Sequence, residues 1–280
     1  MKTLYVSDLD GTLLNSNTAL SEATIKTINA LVEDGMEFTF ATARSITSAS
    51  LVSKGLHLRT PLIVYNGVYL LEPDSHEILY SHSFAKQDAQ EILNYLLGHG
   101  MIPFVYSYID GKERVSYMEE GMHEGGKYYM ESRPYDKRFR KVDNTKQLLE
   151  GDVFYFTCIH DGSFLKPMYE HLEETSEYVI VYQQELYREE YWLEIMPRGV
   201  SKAQAILELK EKGGYDRIIS FGDAINDLPM FQISDECYAV ENAIDELKHA
   251  ATTVIGDHDA DAVAMWLKDN YCRCGRNDDV

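Results

Sequence analysis

Asp8 and Asp10 stand two residues apart in Asp8-Leu9-Asp10-Gly11-Thr12-Leu13, directly after the strand-like Leu4-Tyr5-Val6. In extended backbone, residues i and i+2 face the same way, so the two carboxylates converge. Gly11 lets the chain turn away behind them. At about 4 Å and an effective dielectric near 20, two such charges repel by roughly 4 kcal/mol, so a proton or a cation must sit between them. The plainer reading is a solvated acidic turn. A calcium loop of the EF-hand kind fails on spacing, because Leu13 stands where Gly is required and Ala19 where Glu is required.

A second polar run, Gly222-Asp223-Ala224-Ile225-Asn226-Asp227, also follows an apolar strand. One or both of Asp223 and Asp227 can complete an oxygen shell for a hard cation such as magnesium, and Asn226 can orient a ligand or a carboxylate. Helix capping accounts for one such residue but not for three beside a glycine. Thr42, after the strand ending at Phe40, offers a hydroxyl and a backbone N–H to an anion. Lys202 opens a helix, where its charge opposes the helix dipole, so a nearby negative partner would explain it; taken alone, Thr42 and Lys202 each read as an ordinary surface residue.

Taken together these residues compose a phosphoryl-transfer site. Magnesium reduces the repulsion between Asp8 and a phosphate, and Asp8 attacks phosphorus to form an aspartyl-phosphate. Asp10 protonates the leaving oxygen and then activates water. Lys202 and Thr42 neutralise and orient the transferring group.

The elements that must position these groups alternate between strand and helix. Strand patterns at residues 4–6, 37–40 and 62–65 enclose helical spacing at 21–33 (Ile25, Ile28, Leu31) and 47–53. The alternation resumes with helices at 202–210, 227–232, 244–249 and 260–268 and strands at 217–221, 238–240 and 252–255. That order predicts a parallel sheet with right-handed crossovers, whose ligands sit at the C-terminal ends of the strands. The middle is tyrosine-rich, with strands at 102–108, 113–117, 153–159 and 191–195 and helices at 86–97 and 163–174. The expected organisation is therefore α/β: a Rossmann-like core over 1–82 and 192–280, with an α+β domain inserted at 83–191.

Length and composition agree with this reading. At 280 residues the chain has room for two domains. Its formal net charge of −20 disfavours a nucleic-acid partner. The apolar stretch 61–71 is broken by Asn66 and Gly67, so no membrane span is expected, and no leader pattern opens the chain. Four scattered cysteines make no disulfide framework and suit a reducing cytoplasm. Cys272 and Cys274 have no neighbouring Cys or His pair to complete a metal site.

Four segments in this order closely resemble the haloacid dehalogenase-like superfamily, specifically its Cof-like phosphatases with a type IIB cap. They are Asp8-Leu9-Asp10-Gly11-Thr12-Leu13, Ala41-Thr42-Ala43-Arg44, Gly199-Val200-Ser201-Lys202 and Gly222-Asp223-Ala224-Ile225-Asn226-Asp227-Leu228-Pro229-Met230. The resemblance covers essentially the whole chain. It implies Asp8 as nucleophile, Asp10 as acid/base, and magnesium held by Asp8, the Asp10 carbonyl and Asp223, with Asp227 in support. It also implies that Thr42, Arg44, Lys202, Asn226 and the Asn66-Gly67 pair meet the phosphate ester, and that 83–191 is the cap. Ala43, Ala203 and Glu241 depart from the commoner family residues, which bears on substrate fit more than on chemistry.

The expected substrate is a small phosphorylated metabolite, either a sugar phosphate or a phosphorylated cofactor. A non-catalytic sensor of such a metabolite is the alternative, though a sensor has no need of both Asp8 and Asp10; a phosphomutase is a third. Gly121-Met122-His123-Glu124-Gly125-Gly126-Lys127 has the spacing of a nucleotide-binding loop, but Tyr128 replaces its Ser or Thr. No Gly-x-Ser-x-Gly elbow is present. The basic stretch 133–141, with Lys137, Arg138 and Arg140, is either a contact for a second anionic group or a solvated face.

Overall fold

The computed structural model describes residues 1–184 and 188–275, with side chains through 271. Two compact units emerge, Met1–Ser81 with Ser201–Val280, and His82–Val200.

The first unit begins with β1 (Thr3–Ser7), α1 (Glu22–Glu33), β2 (Glu37–Phe40), α2 (Ile46–Val52), β3 (Leu62–Val64), β4 (Tyr69–Leu71) and β5 (Ile78–Ser81). In the second unit follow α3 (Lys86–Gly98), β6 (Phe104–Ile109), β7 (Lys112–Tyr117), α4 (Glu124–Glu131), β8 (Phe139–Lys141), β9 (Asp152–His160), α5 (Gly162–Thr175), β10 (Val179–Gln184) and β11 (Tyr191–Met196). The first unit then resumes with α6 (Lys202–Gly213), β12 (Arg217–Gly222), α7 (Leu228–Gln232), β13 (Glu236–Ala239), α8 (Asp245–Ala250), β14 (Thr253–Val254) and α9 (Ala262–Gly275).

The sheet of the first unit is parallel, in the order β14-β13-β12-β1-β2. An isolated parallel bridge from Ala41 to Ile63 extends it toward β3. β3, β4 and β5 form a separate antiparallel sheet, which the βα alternation did not anticipate. β1 and β12 are adjacent, with Ser7 opposite Phe221, so the two acidic runs leave neighbouring strand ends. Leu4, Val6, Ile218, Ile219 and Phe221 are fully buried between the flanking helices. Each such side chain contributes about 1.5–3 kcal/mol. Ser21 caps α1 through Thr24 N–H at 2.9 Å, and the buried stripe runs Thr24, Ile28, Val32 while Ile25 and Leu31 are half-covered.

The second unit is a six-stranded sheet, β10-β11-β9-β6-β7-β8. α3 and α5 contribute to one cluster with Phe156, Cys158, Leu193 and Ile195. α4 lies against β9 on the Ile159 side, the opposite face. The second crossing between units falls later than the expected 191/192, because β11 is antiparallel to both β9 and β10 and belongs to the inserted sheet.

The nucleotide-loop spacing at 121–127 resolves as the start of α4. His123 Nδ1 accepts from Gly125 N–H and caps the helix, and Lys127 pairs with Glu124. Most of the basic stretch is taken up by structural ion pairs: Arg138 with Glu113 and Asp136, Arg140 with Glu150, and Lys141 with Glu119. Cys158 and Cys237 are free and buried; the side chains of Cys272 and Cys274 lie outside the described residues. No helix among the described residues is long and apolar enough to cross a membrane.

Candidate active site

Asp8 is the first residue beyond β1, anchored by its N–H to the Phe221 carbonyl at 2.9 Å and almost wholly buried. Next, Asp10 takes extended backbone and Gly11 turns left-handed at φ 74°. Only glycine fits that turn, since a Cβ there would stand 2.4 Å from Asp223 Oδ2. Asn242 Nδ2 donates to the Gly11 carbonyl at 2.7 Å, and the Asn242 amide oxygen accepts from His258 N–H at 3.3 Å.

Lys202 is the pivot. The residue is 2% exposed, and its ammonium donates to Asp8 Oδ1 at 2.5 Å and to Asp227 Oδ1 at 2.7 Å. The negative partner expected at the start of this helix is therefore a pair of carboxylates. Ser201 caps α6 by accepting from Gln204 N–H at 3.0 Å, which fixes where Lys202 leaves the helix. Burial opposes the ammonium charge, but the Asp8 and Asp227 carboxylates outweigh it and hold Lys202 ionised above its ordinary range. Burial raises the Asp8 carboxyl well above the usual value against the pull of Lys202, with Asp227 and Asp223 adding to the rise.

Asp227 is fully buried, and its second oxygen accepts from the N–H groups of Asp223 at 3.0 Å and Ala224 at 3.1 Å. Both its oxygens are thus engaged, one by Lys202 and one by the loop it shapes. Asp223 accepts from Thr12 Oγ1 at 2.8 Å. Its carboxyl is pushed up to about 6, first by burial and then by Asp227, with the Thr12 hydroxyl and Lys202 opposing. Asp8, Asp223 and Asp227 each bring an oxygen within 4.8 Å of the others. One ammonium, shared by Asp8 and Asp227 with Asp223 beside them, leaves negative charge uncompensated, which fits a divalent cation bound by oxygen ligands.

The other expected residues divide. Thr42 is buried, but its N–H is taken by the Ile63 carbonyl at 3.0 Å, so only the hydroxyl is left for an anion; that hydroxyl accepts from Arg44 N–H at 3.1 Å. Arg44 grips Asp10 through two hydrogen bonds, Nε to Oδ2 at 2.7 Å and Nη2 to Oδ1 at 2.6 Å, and donates to Ser48 Oγ at 2.7 Å. Asn66 is left-handed at φ 53°, and its buried amide oxygen meets no donor among the described residues. A Cβ on Gly67 would stand 2.3 Å from the Ser201 carbonyl, so this turn packs directly against the start of α6. Asn226 is exposed. Sequence reasoning missed Thr12 and Asn242. Thr12 stands within the first acidic run and Asn242 directly after Glu241, but neither side chain carries a charge to mark it.

The sequence profile of the haloacid dehalogenase-like hydrolases matches residues 5–267. The chain is 24% identical over 277 residues to 5-amino-6-(5-phospho-D-ribitylamino)uracil phosphatase YitU of Bacillus subtilis, covering 96% of this chain and 97% of the relative. It is 25% identical over 269 residues to pyridoxal phosphate phosphatase YbhA of Escherichia coli, covering 93% and 95%. Among solved structures, TM0651 from Thermotoga maritima superposes with a TM-score of 0.77 at 28% identity, covering 96% of this chain and 97% of that one.

Proposed function

This chain belongs to the haloacid dehalogenase-like hydrolase family, and on that premise we propose that it is a magnesium-dependent phosphatase of small phosphorylated metabolites, with Asp8 as nucleophile. The observation that carries the reading is the buried ammonium of Lys202, shared between Asp8 and Asp227 beside Asp223. Asp8 and Asp223, with the Asp10 carbonyl, would hold magnesium. Asp227, its oxygens already engaged, keeps Lys202 and the Asp223 loop in place. Bound there, the cation supplies positive charge that lets an anionic nucleophile approach an anionic phosphate.

The chain's own groups account for the rest. Asp8 attacks phosphorus in line, forming a bond from its carboxylate oxygen as the ester oxygen departs. Asp10, steered by Arg44, gives that oxygen a proton and later takes one from the water that frees the phosphate. Lys202 and the Thr42 hydroxyl balance charge on the transferring group, and Asn66 and Gly67 line its approach. Arg44 and Asn226 are the remaining candidates for substrate contact, and the inserted unit for recognising the rest of the molecule. The named substrates of these two relatives each join a phosphate to a nitrogen heterocycle, which favours a phosphorylated cofactor over a simple sugar phosphate. A cytoplasmic place suits such a substrate.

The test is phosphate release from p-nitrophenyl phosphate by the full chain, with and without magnesium, followed by a panel of sugar phosphates and phosphorylated cofactors. Turnover that requires magnesium is expected. Binding of panel members without any turnover would make the protein a sensor instead.

A further inference from the structure

Residues 242–244, between β13 and α8, are bonded to both acidic runs. Asn242 Nδ2 donates to the Gly11 carbonyl across 231 positions of sequence. Two residues on, Ile244 N–H donates to the Asp223 carbonyl at 2.9 Å. One short stretch therefore grips the turn after β1 with a side chain and the loop after β12 with its backbone.

The two grips meet at one carboxylate. The Gly11 carbonyl and the Thr12 N–H share a peptide plane, so a bond that fixes the first also sets how the chain enters Thr12. Thr12 is buried, and its hydroxyl donates to Asp223 Oδ1. Asp223 thus has its backbone held by Ile244 and Asp227 and its carboxylate aimed by Thr12. Asn242 is itself oriented. It is exposed, but His258 N–H donates to its amide oxygen, which decides the end of the amide that faces Gly11. His258 is fastened in turn, its Nδ1 donating to the Leu14 carbonyl at 2.8 Å. The next residue, Asp259, accepts from Ser16 N–H at 2.7 Å and from Ser16 Oγ at 2.6 Å.

We propose that Asn242 is a positioning residue for the metal: acting through Gly11 and Thr12, it aims the Asp223 carboxylate, and His258 holds it in place to do so. Neither bond of the Asn242 amide reaches a carboxylate, so its effect passes along the chain from Gly11 to Thr12. An oxygen ligand already aimed needs less rearrangement to take up a cation, and loss of such support costs about 10–100-fold in metal affinity. The inference rests on the reading of Asp223 as a magnesium ligand and adds the residue that aims it.

The test is calorimetric titration of the full chain with magnesium, which reads binding and not turnover. Asn242→Ala, checked for folding by circular dichroism, is expected to weaken magnesium by about tenfold. Thr12→Val should weaken it at least as much. The double variant should bind no more weakly than Thr12→Val alone, because the two residues act in series. Ser21→Ala, which removes the cap of α1, is the control: it should lower the Tm and leave magnesium affinity as in the parent. If Asn242→Ala does not fold, Asn242→Ser, whose hydroxyl is too short to reach Gly11, takes its place with the same expected loss. Unchanged affinity in the Asn242 variant, additive losses in the double variant, or an equal loss in Ser21→Ala would overturn the proposal. In each of those outcomes the parent still binds magnesium, so the phosphatase reading stands; a parent chain that binds none would remove both.

Discussion

At the scale of single residues, the site turns on charge held in little solvent. Asp10 is tied to Arg44 and half-exposed, whereas Asp8 is buried on Lys202, so two aspartates of one turn occupy different surroundings. That separation suits one as nucleophile and the other as acid/base. Asp10→Asn is predicted to slow hydrolysis of an alkyl phosphate by about 10²–10⁴-fold and that of p-nitrophenyl phosphate, whose leaving group needs little proton assistance, much less. Steady-state kinetics on both esters check this, and an equal loss on both would remove the acid role. Asp223 sets a pH dependence. Its folded value, about 6, lies above the ordinary 3.8, so the folded chain binds more protons than the unfolded one between those values. The metal-free protein is then destabilised as pH rises from about 4 to 6 and carries the full penalty above that. Asp223→Asn should raise the Tm of the metal-free protein at pH 7.5 and change it little at pH 4, and magnesium affinity of the parent chain should fall from pH 7 to pH 5. Melting curves and calorimetric titration read the two effects.

At the scale of elements, adjacency of β1 and β12 brings residues more than two hundred positions apart into contact, and α6 delivers Lys202 from a third direction. Ser201 sets that delivery by capping the helix. Ser201→Ala is predicted to cost about 1 kcal/mol of stability, and to lower kcat because Lys202 loses its fixed origin; urea unfolding and kinetics measure both. In the inserted unit, Glu194 on β11 is raised to about 7 by burial, against a hydrogen bond from Tyr155. Its ordinary value is 4.5, so its contribution to stability is lost as pH rises between 4.5 and about 7. Glu194→Gln should therefore raise Tm at pH 8 and leave it nearly unchanged at pH 4.5. A Tm at pH 8 equal to or below that of the parent would show that the carboxylate is well accommodated.

At the scale of the whole chain, the alternation of apolar strand and amphipathic helix was legible because both periods are local, and so was the interruption by a different pattern. The acidic runs were legible because each follows a strand. What stayed hidden depends on pairing across distance. The strand at 191–195 was read among those of the middle, but that the inserted unit runs on past residue 191 is decided by the ladder of β11 with β9. The capture of the Thr42 N–H by Ile63 and the Arg44 grip on Asp10 required β2, α2 and β3 to be assembled. The basic stretch 133–141 looked available for an anion until its carboxylate partners, most of them remote in sequence, came into place. The central claim, that Asp8 is the nucleophile, is tested most directly by rapid acid quench of the full chain with a ³²P-labelled substrate and magnesium, followed by peptide mapping. Label on the peptide carrying Asp8, formed at least as fast as turnover and absent in Asp8→Asn, is the predicted result. Turnover with label on another residue, or persisting in Asp8→Asn, would contradict it.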